Sequence, residues 1–309
     1  MALFERRRTR YTSNLVRGSI LIVFLGIVAM VIVIFSMYGR IFESNVSLEE
    51  EYVIFYVKTG SDYQDVLNEL VEKEILVDQR SFNWMAEKKN YPDNIKPGRY
   101  KILNRMSNND LVNMLRAGKQ EPVMVVFNNV RTLAELAGRV SRYIETDSVE
   151  LAGFLSDPVL PDRYGFDATS FKSMFIPNTY EFYWTVEPEA FVGRMKTEYD
   201  RFWEGERDRK ANKLNMSRLE VSTLASIVDE ETLHDDENAR IAGVYINRLE
   251  RGIPLQADPT LKFALGDFTR KRIINADKQI DSPYNTYKFK GLPPGPISIP
   301  SITAIDGVL

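Results

Sequence analysis

The sequence has no cysteine and a single histidine, His234, among its 309 residues. Without cysteine the chain has no disulfide framework, no thiolate nucleophile and no cysteine-ligated zinc or iron–sulfur site. With one histidine it has no pair of imidazoles to hold a metal ion, and a Ser–His–Asp triad would have to use that residue. We therefore expect carboxylate, hydroxyl, amide or phenol chemistry, with no metal and no cofactor.

Charge is unevenly distributed along the chain. The 40 basic and 43 acidic side chains give a formal net charge of −3. Residues 1–18 hold five arginines against one glutamate, a net charge of +4, which leaves −7 for residues 19–309. This acidic body argues against nucleic-acid binding, and the absence of GxxxxGK[ST] and GxGxxG argues against a nucleotide-driven enzyme.

Residues 20–38 form an apolar run of 19 residues without a charge. As a helix, a run of this length nearly spans the hydrocarbon core of a bilayer, which is roughly 30 Å thick. A cleaved signal peptide is the alternative, but this run is longer than usual and ends in Phe35, Met37 and Tyr38 rather than small residues. A buried core helix is disfavoured because the run is apolar on all sides.

The arginines precede the apolar run and acidic residues follow it, so the positive-inside rule predicts a cytoplasmic N-terminus. We assign a cytoplasmic basic tail to residues 1–18 and a transmembrane helix to residues 19–39. The protein is then a single-pass protein of the plasma (inner) membrane. The remainder lies outside the cytoplasm, in the periplasm if the cell is Gram-negative.

Strand–turn–helix patterns follow the apolar run at residues 52–71, 98–118 and 123–137. Each pairs a β-branched or aromatic segment with apolar residues at helical spacing. The Gly-Ser turn of the first pattern resembles a LysM-like glycan-binding unit, and a plain structural spacer is the alternative. We assign residues 40–120 to a LysM-like α+β module and residues 121–309 to an α+β catalytic domain.

Further along the chain, residues 146–185 are predicted to be loop-rich because they contain Pro158, Pro161, Gly165 and Pro177. The highly charged stretch at 191–213 predicts a helix with a solvated face. A later helix is predicted from about residue 235 to Arg251, where Gly252 ends it.

Residues 217–233 predict a helix that opens with a capping box and carries a carboxylate on its apolar face. Leu224, Ile227 and Glu231 share one face, so Glu231 projects toward the side that packs. Apolar surroundings raise the pKa of a carboxyl, and a protonated carboxyl is what a general acid requires. The alternative is a helix that frays after Val228 and leaves Glu231 solvated.

Three motifs follow this region: LQADPT at 255–260, SPYNTY at 282–287 and GLPPGPI at 291–297. We interpret them as loops whose amides orient sugar hydroxyls and whose tyrosine rings stack on sugar faces. Structural turns held by Asx and proline chemistry are the alternative. The candidate substrate-binding residues are Gln256, Asp258, Tyr284, Asn285 and Tyr287.

In their order, these motifs resemble the endolytic murein transglycosylases of the YceG-like family. Residues 224–232, LASIVDEET, resemble the catalytic helix of that family, and residues 244–252, VYINRLERG, resemble its FINRL helix. The three loop motifs and PNTYEF at 177–182 match further segments. The resemblance covers nearly the whole chain and is strongest over residues 224–300.

This resemblance implies that Glu231 is the catalytic residue of a lytic transglycosylase that cleaves the MurNAc–GlcNAc β-1,4 bond of peptidoglycan. One carboxyl would protonate the leaving oxygen and then accept the proton of the sugar's C6 hydroxyl, which attacks C1 and leaves a 1,6-anhydro-MurNAc end. No second carboxylate is required, unlike most glycosidases. The implied role is to terminate or release nascent glycan strands, with penicillin-binding cell-wall synthases as candidate partners.

The sequence departs from the family pattern in three places. Glu230 replaces the usual lysine, and Asn178 replaces the usual aspartate. The family domain normally continues past the GLPPG loop, so we expect the chain ending at Leu309 to be truncated at its C-terminus.

Three other hypotheses remain open from the sequence. A non-catalytic peptidoglycan-binding scaffold for cell-wall synthases would use the LysM-like module. An ordinary muramidase would leave a reducing end one water (about 18 Da) heavier than an anhydro end. His234 as a catalytic base is a third alternative, although its place near a helix end is typical of a cap or an exposed residue.

Overall fold

The computed structural model describes residues 2–309, with side chains from Ser19 onward. Met1 and the side chains of the predicted basic tail, residues 1–18, lie outside the described residues. The chain divides into two compact units, Met1–Glu121 and Pro122–Leu309. Both contain helices and short strands, so the predicted mixed α+β class is confirmed.

The first unit begins with α1 (Ala2–Phe42). Its segment Ser19–Phe42 has 24 residues, reaches a mean hydropathy of 3.2 and is not buried against the rest of the protein. A helix so long, so apolar and so uncovered is suited to a lipid environment. The predicted apolar helix is therefore confirmed, and it extends a few residues beyond the predicted end.

A β–α–α–β arrangement and one further helix follow α1 in this unit. The elements are β1 (Tyr52–Val57), α2 (Tyr63–Glu72), α3 (Gln79–Lys88), β2 (Gly98–Leu103) and α4 (Asn108–Ala117). The two strands pair antiparallel, with Tyr52 opposite Leu103. Phe55, Phe82 and Tyr100 are fully buried, so strands and helices share one core.

Local sequence signals explain where these helices begin and end. The Asp62 and Ser107 side chains accept hydrogen bonds from the first turns of α2 and α4. Gly118 ends α4 with φ +67°, in the left-handed region that glycine enters at little cost. The first two strand–turn–helix patterns are thus confirmed.

The second unit contains two strands and nine helices among the described residues. They are β3 (Val123–Phe127), α5 (Leu133–Val140), α6 (Ser148–Leu155), α7 (Leu160–Arg163), β4 (Asn178–Phe182), α8 (Pro188–Trp203), α9 (Glu206–Lys213), α10 (Arg218–Glu231), α11 (Asn238–Glu250), α12 (Asp258–Leu265) and α13 (Ile302–Val308). Short 3-10 turns lie at Phe171–Met174, Asp235–Glu237 and Asp277–Gln279. Strands β3 and β4 pair antiparallel, with Val123 opposite Phe182.

Helix α10 runs through the centre of this unit. Residues 221–228 are all buried, including the polar side chains of Ser222, Thr223 and Ser226. The helix packs against α9, α11, α12 and α13, so it is covered on all sides along most of its length. Its last turn reaches the surface, which places the acidic residues 229–231 at the edge of the core.

The structure corrects several sequence predictions in this unit. The stretch 191–213 forms two helices rather than one, because Gly205 turns the chain at φ +88°. Residues 146–185, predicted to be loop-rich, also contain α6, α7 and β4. The LQADPT motif is only partly a loop, since Asp258 begins α12 with Pro259 in its first turn, where proline is well tolerated.

Candidate active site

Glu231 is the last residue of α10, and Thr232 leaves the helix in an extended conformation with φ −135°. The helix does not fray after Val228, so that part of the alternative is wrong, whereas its expectation of a solvent-exposed Glu231 is confirmed. The carboxyl is not packed into the core either, since Glu231 is exposed to solvent. The expectation of a buried position is therefore corrected: core packing ends at Val228, and Glu231 lies at its rim.

The surroundings of Glu231 nevertheless favour the protonated carboxyl. Protein atoms around the group displace part of its hydration, and this desolvation is the main cause that raises its pKa above the usual value. The negative charge of Asp258 adds to the rise, while the ammonium of Lys262 opposes it. Both groups lie one turn apart on α12, so this helix sets the electrostatic environment of the carboxyl.

Asp258 and Tyr287 form a hydrogen-bonded pair beside Glu231. The Tyr287 hydroxyl donates to Oδ1 of Asp258 at 2.6 Å. Burial, this hydrogen bond and the charges of Asp258 and Glu231 raise the pKa of Tyr287 to about 12. The phenol therefore remains protonated and holds the Asp258 carboxylate in place. The structure thus brings together Glu231, Asp258 and Tyr287, three of the residues predicted from the sequence.

The LQADPT and SPYNTY segments are joined by their backbones and by two threonines. The Gln256 amide donates to the Thr286 carbonyl at 3.0 Å, and the Ala257 amide donates to the Thr286 hydroxyl oxygen at 3.0 Å. The hydroxyls of Thr260 and Thr286 lie 2.9 Å apart. Because Ala257, Thr260 and Thr286 are buried, these bonds fix the relative position of the two segments.

Gln256 extends its side chain to solvent next to this junction. Its backbone has φ +55°, a left-handed conformation that is uncommon for a residue with a Cβ. The hydrogen bond from its amide to the Thr286 carbonyl stabilises this unfavourable backbone conformation. Such strained positions are frequent at functional sites, which keeps Gln256 a candidate for contact with a ligand.

Asn285 and Tyr284, from the same loop as Tyr287, make their contacts within the protein and not with Asp258. Asn285 is fully buried, and its amide group donates to the carbonyls of Lys278 and Ile280 at 3.0 and 2.7 Å. Its side-chain oxygen accepts from the Tyr287 amide at 3.1 Å. The structure therefore gives Asn285 the role of positioning the loop. The half-buried Tyr284 ring packs against Phe263, with 4.5 Å between centroids.

The GLPPGPI segment is attached directly to α10. The Ile297 amide donates to the hydroxyl oxygen of the buried Ser226 at 3.0 Å. Further on, the amide and hydroxyl of Ser301 donate to the Asp229 carboxyl at 3.1 and 2.6 Å, at the start of α13. Asp229 thus anchors a neighbouring helix, and burial raises its pKa in spite of these bonds.

Glu230 pairs with Arg131, which precedes α5. Nε and Nη2 of Arg131 donate to the two carboxylate oxygens of Glu230, each at 2.9 Å. The guanidinium also lies over the Phe268 ring, 5.4 Å from its centroid. The three acids at the end of α10 therefore differ: Asp229 and Glu230 have partners, and Glu231 accepts no hydrogen bond from the described residues.

Sequence reasoning missed three residues around Glu231. Tyr245 of α11 is buried, and burial is the main cause that raises the pKa of its hydroxyl. The negative charge of Glu231 is the next cause. Arg248, one turn later, donates to the carbonyls of Pro254 and Leu255 at 3.2 and 2.6 Å and so fixes the start of LQADPT. The third is Lys262, whose positive charge opposes the rise in the pKa of Glu231. The i, i+3 spacing of Tyr245 and Arg248 was a signal for a shared face.

His234 is exposed, and its side chain does not cap the 3-10 turn that follows it. This agrees with an exposed residue rather than a catalytic base. Within the described residues, no three acidic or histidine side chains converge to hold a metal ion. A separate concavity of about 540 Å³ lies between β4 and α8, where Glu181, Tyr183 and Arg194 line it without any of the residues around Glu231.

The sequence profile of the YceG-like family matches residues 55–309, which is most of the chain. The chain belongs to the YceG-like family. A solved YceG-like protein from Listeria monocytogenes is 27% identical, with a TM-score of 0.54 over 84% of this chain and 90% of that one. The fold described above is thus shared with another member of the family.

Two relatives of this YceG-like chain carry the name endolytic murein transglycosylase. One, from Streptococcus pneumoniae serotype 2, is 28% identical over 287 residues, which is 83% of this chain and 52% of that protein. The other, from Bacillus subtilis strain 168, is 40% identical over 102 residues, 33% of this chain and 28% of that protein. The chain thus spans about half the length of the pneumococcal relative, and its match to the Bacillus protein covers about a quarter of that protein.

Proposed function

We propose that this YceG-like protein is a membrane-anchored lytic transglycosylase that cleaves the MurNAc–GlcNAc bond of peptidoglycan within the strand. The observation that carries the proposal is the position of Glu231. Among the acids at the end of α10, it is the one without a hydrogen-bond or ionic partner in the described part of the chain, its pKa is raised, and it stands beside Asp258 and Tyr287. Membership of the YceG-like family and the names of the relatives support the same activity.

In the proposed reaction, the protonated Glu231 donates its proton to the glycosidic oxygen as the C1–O4 bond breaks. The resulting carboxylate then takes the proton of the C6 hydroxyl, and that oxygen bonds to C1 to close the 1,6-anhydro ring. The carboxyl is regenerated and no water is consumed. Desolvation favours the acid form before the first step, and solvent access to Glu231 leaves room for a glycan strand.

We assign the neighbouring residues to supporting roles in this reaction. Asp258 maintains the negative potential that keeps Glu231 protonated, and Tyr287 fixes Asp258. Gln256 is exposed and available to contact sugar hydroxyls, while Tyr284 offers one ring face beside the cleft. Asn285 acts through the loop that it holds.

The decisive experiment is mass analysis of the products formed from purified glycan strands. Wild type is expected to give anhydro ends, and Glu231→Gln is expected to give none while it keeps the fold. Glu250→Gln is the matched control, since Glu250 is an exposed glutamate at the end of α11. Anhydro ends at normal yield from Glu231→Gln would overturn the assignment, and ends about 18 Da heavier would show hydrolysis instead.

We also propose that Ser19–Phe42 crosses the plasma membrane once, with the N-terminus in the cytoplasm. The arginines before the span support this orientation. Protease added to intact spheroplasts should digest the second unit and spare a tag at the N-terminus. Digestion of the tag with protection of the second unit would reverse the orientation.

The first unit is proposed as a LysM-like glycan-binding module. Its β–α–α–β arrangement with antiparallel strands supports this assignment. A concavity of about 500 Å³, lined by Lys101, Asp110 and Asn113 among others, offers polar groups for sugar hydroxyls. Co-sedimentation with sacculi should weaken in Asn113→Ala, and unchanged retention would remove this concavity from consideration.

A further inference from the structure

We propose that Lys172 forms an anion-binding subsite that takes a carboxylate of the peptide stem attached to the glycan strand. The proposal deepens the proposed function and rests on it, because it names a second part of the same substrate. It concerns a lysine that neither the sequence motifs nor the residues around Glu231 include.

Lys172 belongs to the 3-10 turn Phe171–Met174, and its side chain reaches α12. Its Nζ lies over the ring of Phe263, 4.5 Å from the centroid. The same ring packs against Tyr284, also with 4.5 Å between centroids. The ammonium therefore stands on an aromatic surface built from α12 and the SPYNTY loop, the two segments that also carry Asp258 and Tyr287.

The turn that carries Lys172 is also joined to the GLPPGPI segment. The Thr169 hydroxyl donates to the Pro294 carbonyl at 3.4 Å. Gly295 packs so closely on the backbone of Thr169 that a Cβ would clash there. GLPPGPI thus contacts this turn directly, and SPYNTY reaches Lys172 through the Phe263 ring, which places the ammonium beside two of the three loop motifs.

The Lys172 ammonium has no anionic partner among the described residues. The neighbouring acid Asp167 accepts instead from Thr169 and from the Ser170 amide, at 2.6 to 2.8 Å. Two other half-buried cations have polar partners: Arg218 pairs with Asp208, and Lys89 donates to Asn109 and Asn113. An ammonium that is partly removed from water without a counter-ion is costly unless a ligand supplies the charge.

The pKa of Lys172 reflects burial without a nearby acid among the described residues. Burial lowers the pKa of the ammonium to about 8, and no acidic side chain restores it. A bound carboxylate would raise the pKa again, since an opposite charge favours the protonated amine. Ligand binding and protonation of Lys172 are therefore expected to be coupled.

The surroundings favour a carboxylate over a phosphate. Phosphate sites usually combine several donors, such as an arginine fork or the amides at the start of a long helix. Here a single ammonium stands on an aromatic face, which matches one negative charge next to small apolar groups. A stem-peptide carboxylate flanked by an alanine-type methyl group has that chemistry.

The test compares Lys172→Gln with wild type on three sets of glycan strands. The first set carries intact stems, the second lacks stems and exposes the lactyl carboxylate, and the third lacks stems and has that carboxyl converted to an amide. We expect KM for the first set to rise about tenfold in the variant, with kcat little changed, as for loss of one charge-assisted hydrogen bond. On the third set the two proteins should behave alike.

Two further variants sharpen this test. Lys172→Arg should retain most of the affinity because it keeps the charge, and the exposed Lys290→Gln should behave as wild type. An equal loss on the first and third sets, or no loss on any, would overturn the subsite. A loss confined to the second set would assign Lys172 to the lactyl group and overturn the stem-peptide assignment.

A binding measurement separates this proposal from the proposed reaction. In the Glu231→Gln background, a soluble muramyl peptide and its carboxamide analogue are titrated by calorimetry, with and without Lys172→Gln. A preference for the free carboxylate that disappears with Lys172 supports the subsite whatever the products of catalysis are. Equal affinity for both peptides would refute it, whereas absence of anhydro ends from wild type would refute only the proposed reaction.

Discussion

Arg131 and Glu230 meet through two parallel hydrogen bonds, each 2.9 Å long, although they are 99 residues apart in the chain. Glu230 is the penultimate residue of α10, so the pair fixes the helix end that carries Glu231. From the sequence, an acid at position 230 departed from the expected lysine. In the structure, Arg131 neutralises this acid. Because Arg131 lies just before α5, the ion pair also connects the start of α5 to the end of α10.

The first prediction is that Arg131→Gln raises the pKa of Glu231. Loss of the guanidinium leaves the Glu230 carboxylate uncompensated next to Glu231, and a like charge disfavours ionisation. The basic limb of the pH profile of kcat/KM should therefore move to higher pH. Stability should fall by about 1 kcal/mol, since the pair is partly exposed.

The double variant Arg131→Gln, Glu230→Gln is the control for charge. It lacks both ions, so its pH profile should return toward that of wild type even if kcat stays low. A profile that remains displaced in the double variant would show that the ion pair acts by shape alone.

The second prediction concerns Asp258, whose negative charge helps to raise the pKa of Glu231. Asp258→Asn removes that charge and keeps a similar shape. The pKa of Glu231 should then fall, so a smaller share of the enzyme holds the acid proton at neutral pH. Activity should be lost at lower pH than in wild type, as measured by kcat/KM from pH 4 to pH 9.

Tyr287→Phe distinguishes charge from positioning in this experiment. It removes the hydrogen bond to Asp258 but leaves the Asp258 charge in place. We expect a lower kcat with little movement of the basic limb. The same displacement in both variants would argue against an electrostatic role of Asp258.

Much of this site could be predicted from the sequence because its motifs are local. The capping box of α10, its apolar spacing and the position of Glu231 are properties of neighbouring residues. The Asp258–Tyr287 contact and the Arg131–Glu230 pair join distant segments, and no periodicity encodes such pairings. The resemblance to the family identified the loop motifs in the sequence. It did not predict that Asn285 is buried and holds its loop through three hydrogen bonds, because their partners are set by the fold.

Asn285 leads to the third prediction, which concerns stability. Asn285→Ala leaves the carbonyls of Lys278 and Ile280 and the amide of Tyr287 without their partners. Because the residue is fully buried, we expect a loss of about 2–4 kcal/mol. Thermal unfolding of the protein in detergent measures this. Ser282→Ala, at a half-buried position in the same loop, is the control and should cost less than about 1 kcal/mol.

The fourth prediction is that Glu231→Gln stabilises the protein at neutral pH. The pKa of Glu231 is raised in the folded state above its ordinary value of 4.5, so the folded state binds the proton more tightly than the unfolded state does. The associated stability is fully present below pH 4.5 and is lost as the pH rises through the folded pKa. The variant cannot ionise and avoids that loss.

The gain should be below about 1 kcal/mol, because the side chain is exposed and water screens its charge. Thermal unfolding of wild type and Glu231→Gln at pH 4 and pH 8 gives the comparison, and Glu250→Gln serves as control. The difference between wild type and Glu231→Gln should be close to zero at pH 4 and favour the variant at pH 8. An equal difference at both values would mean that the substitution acts by packing, and that the fold does not hold Glu231 in its acid form.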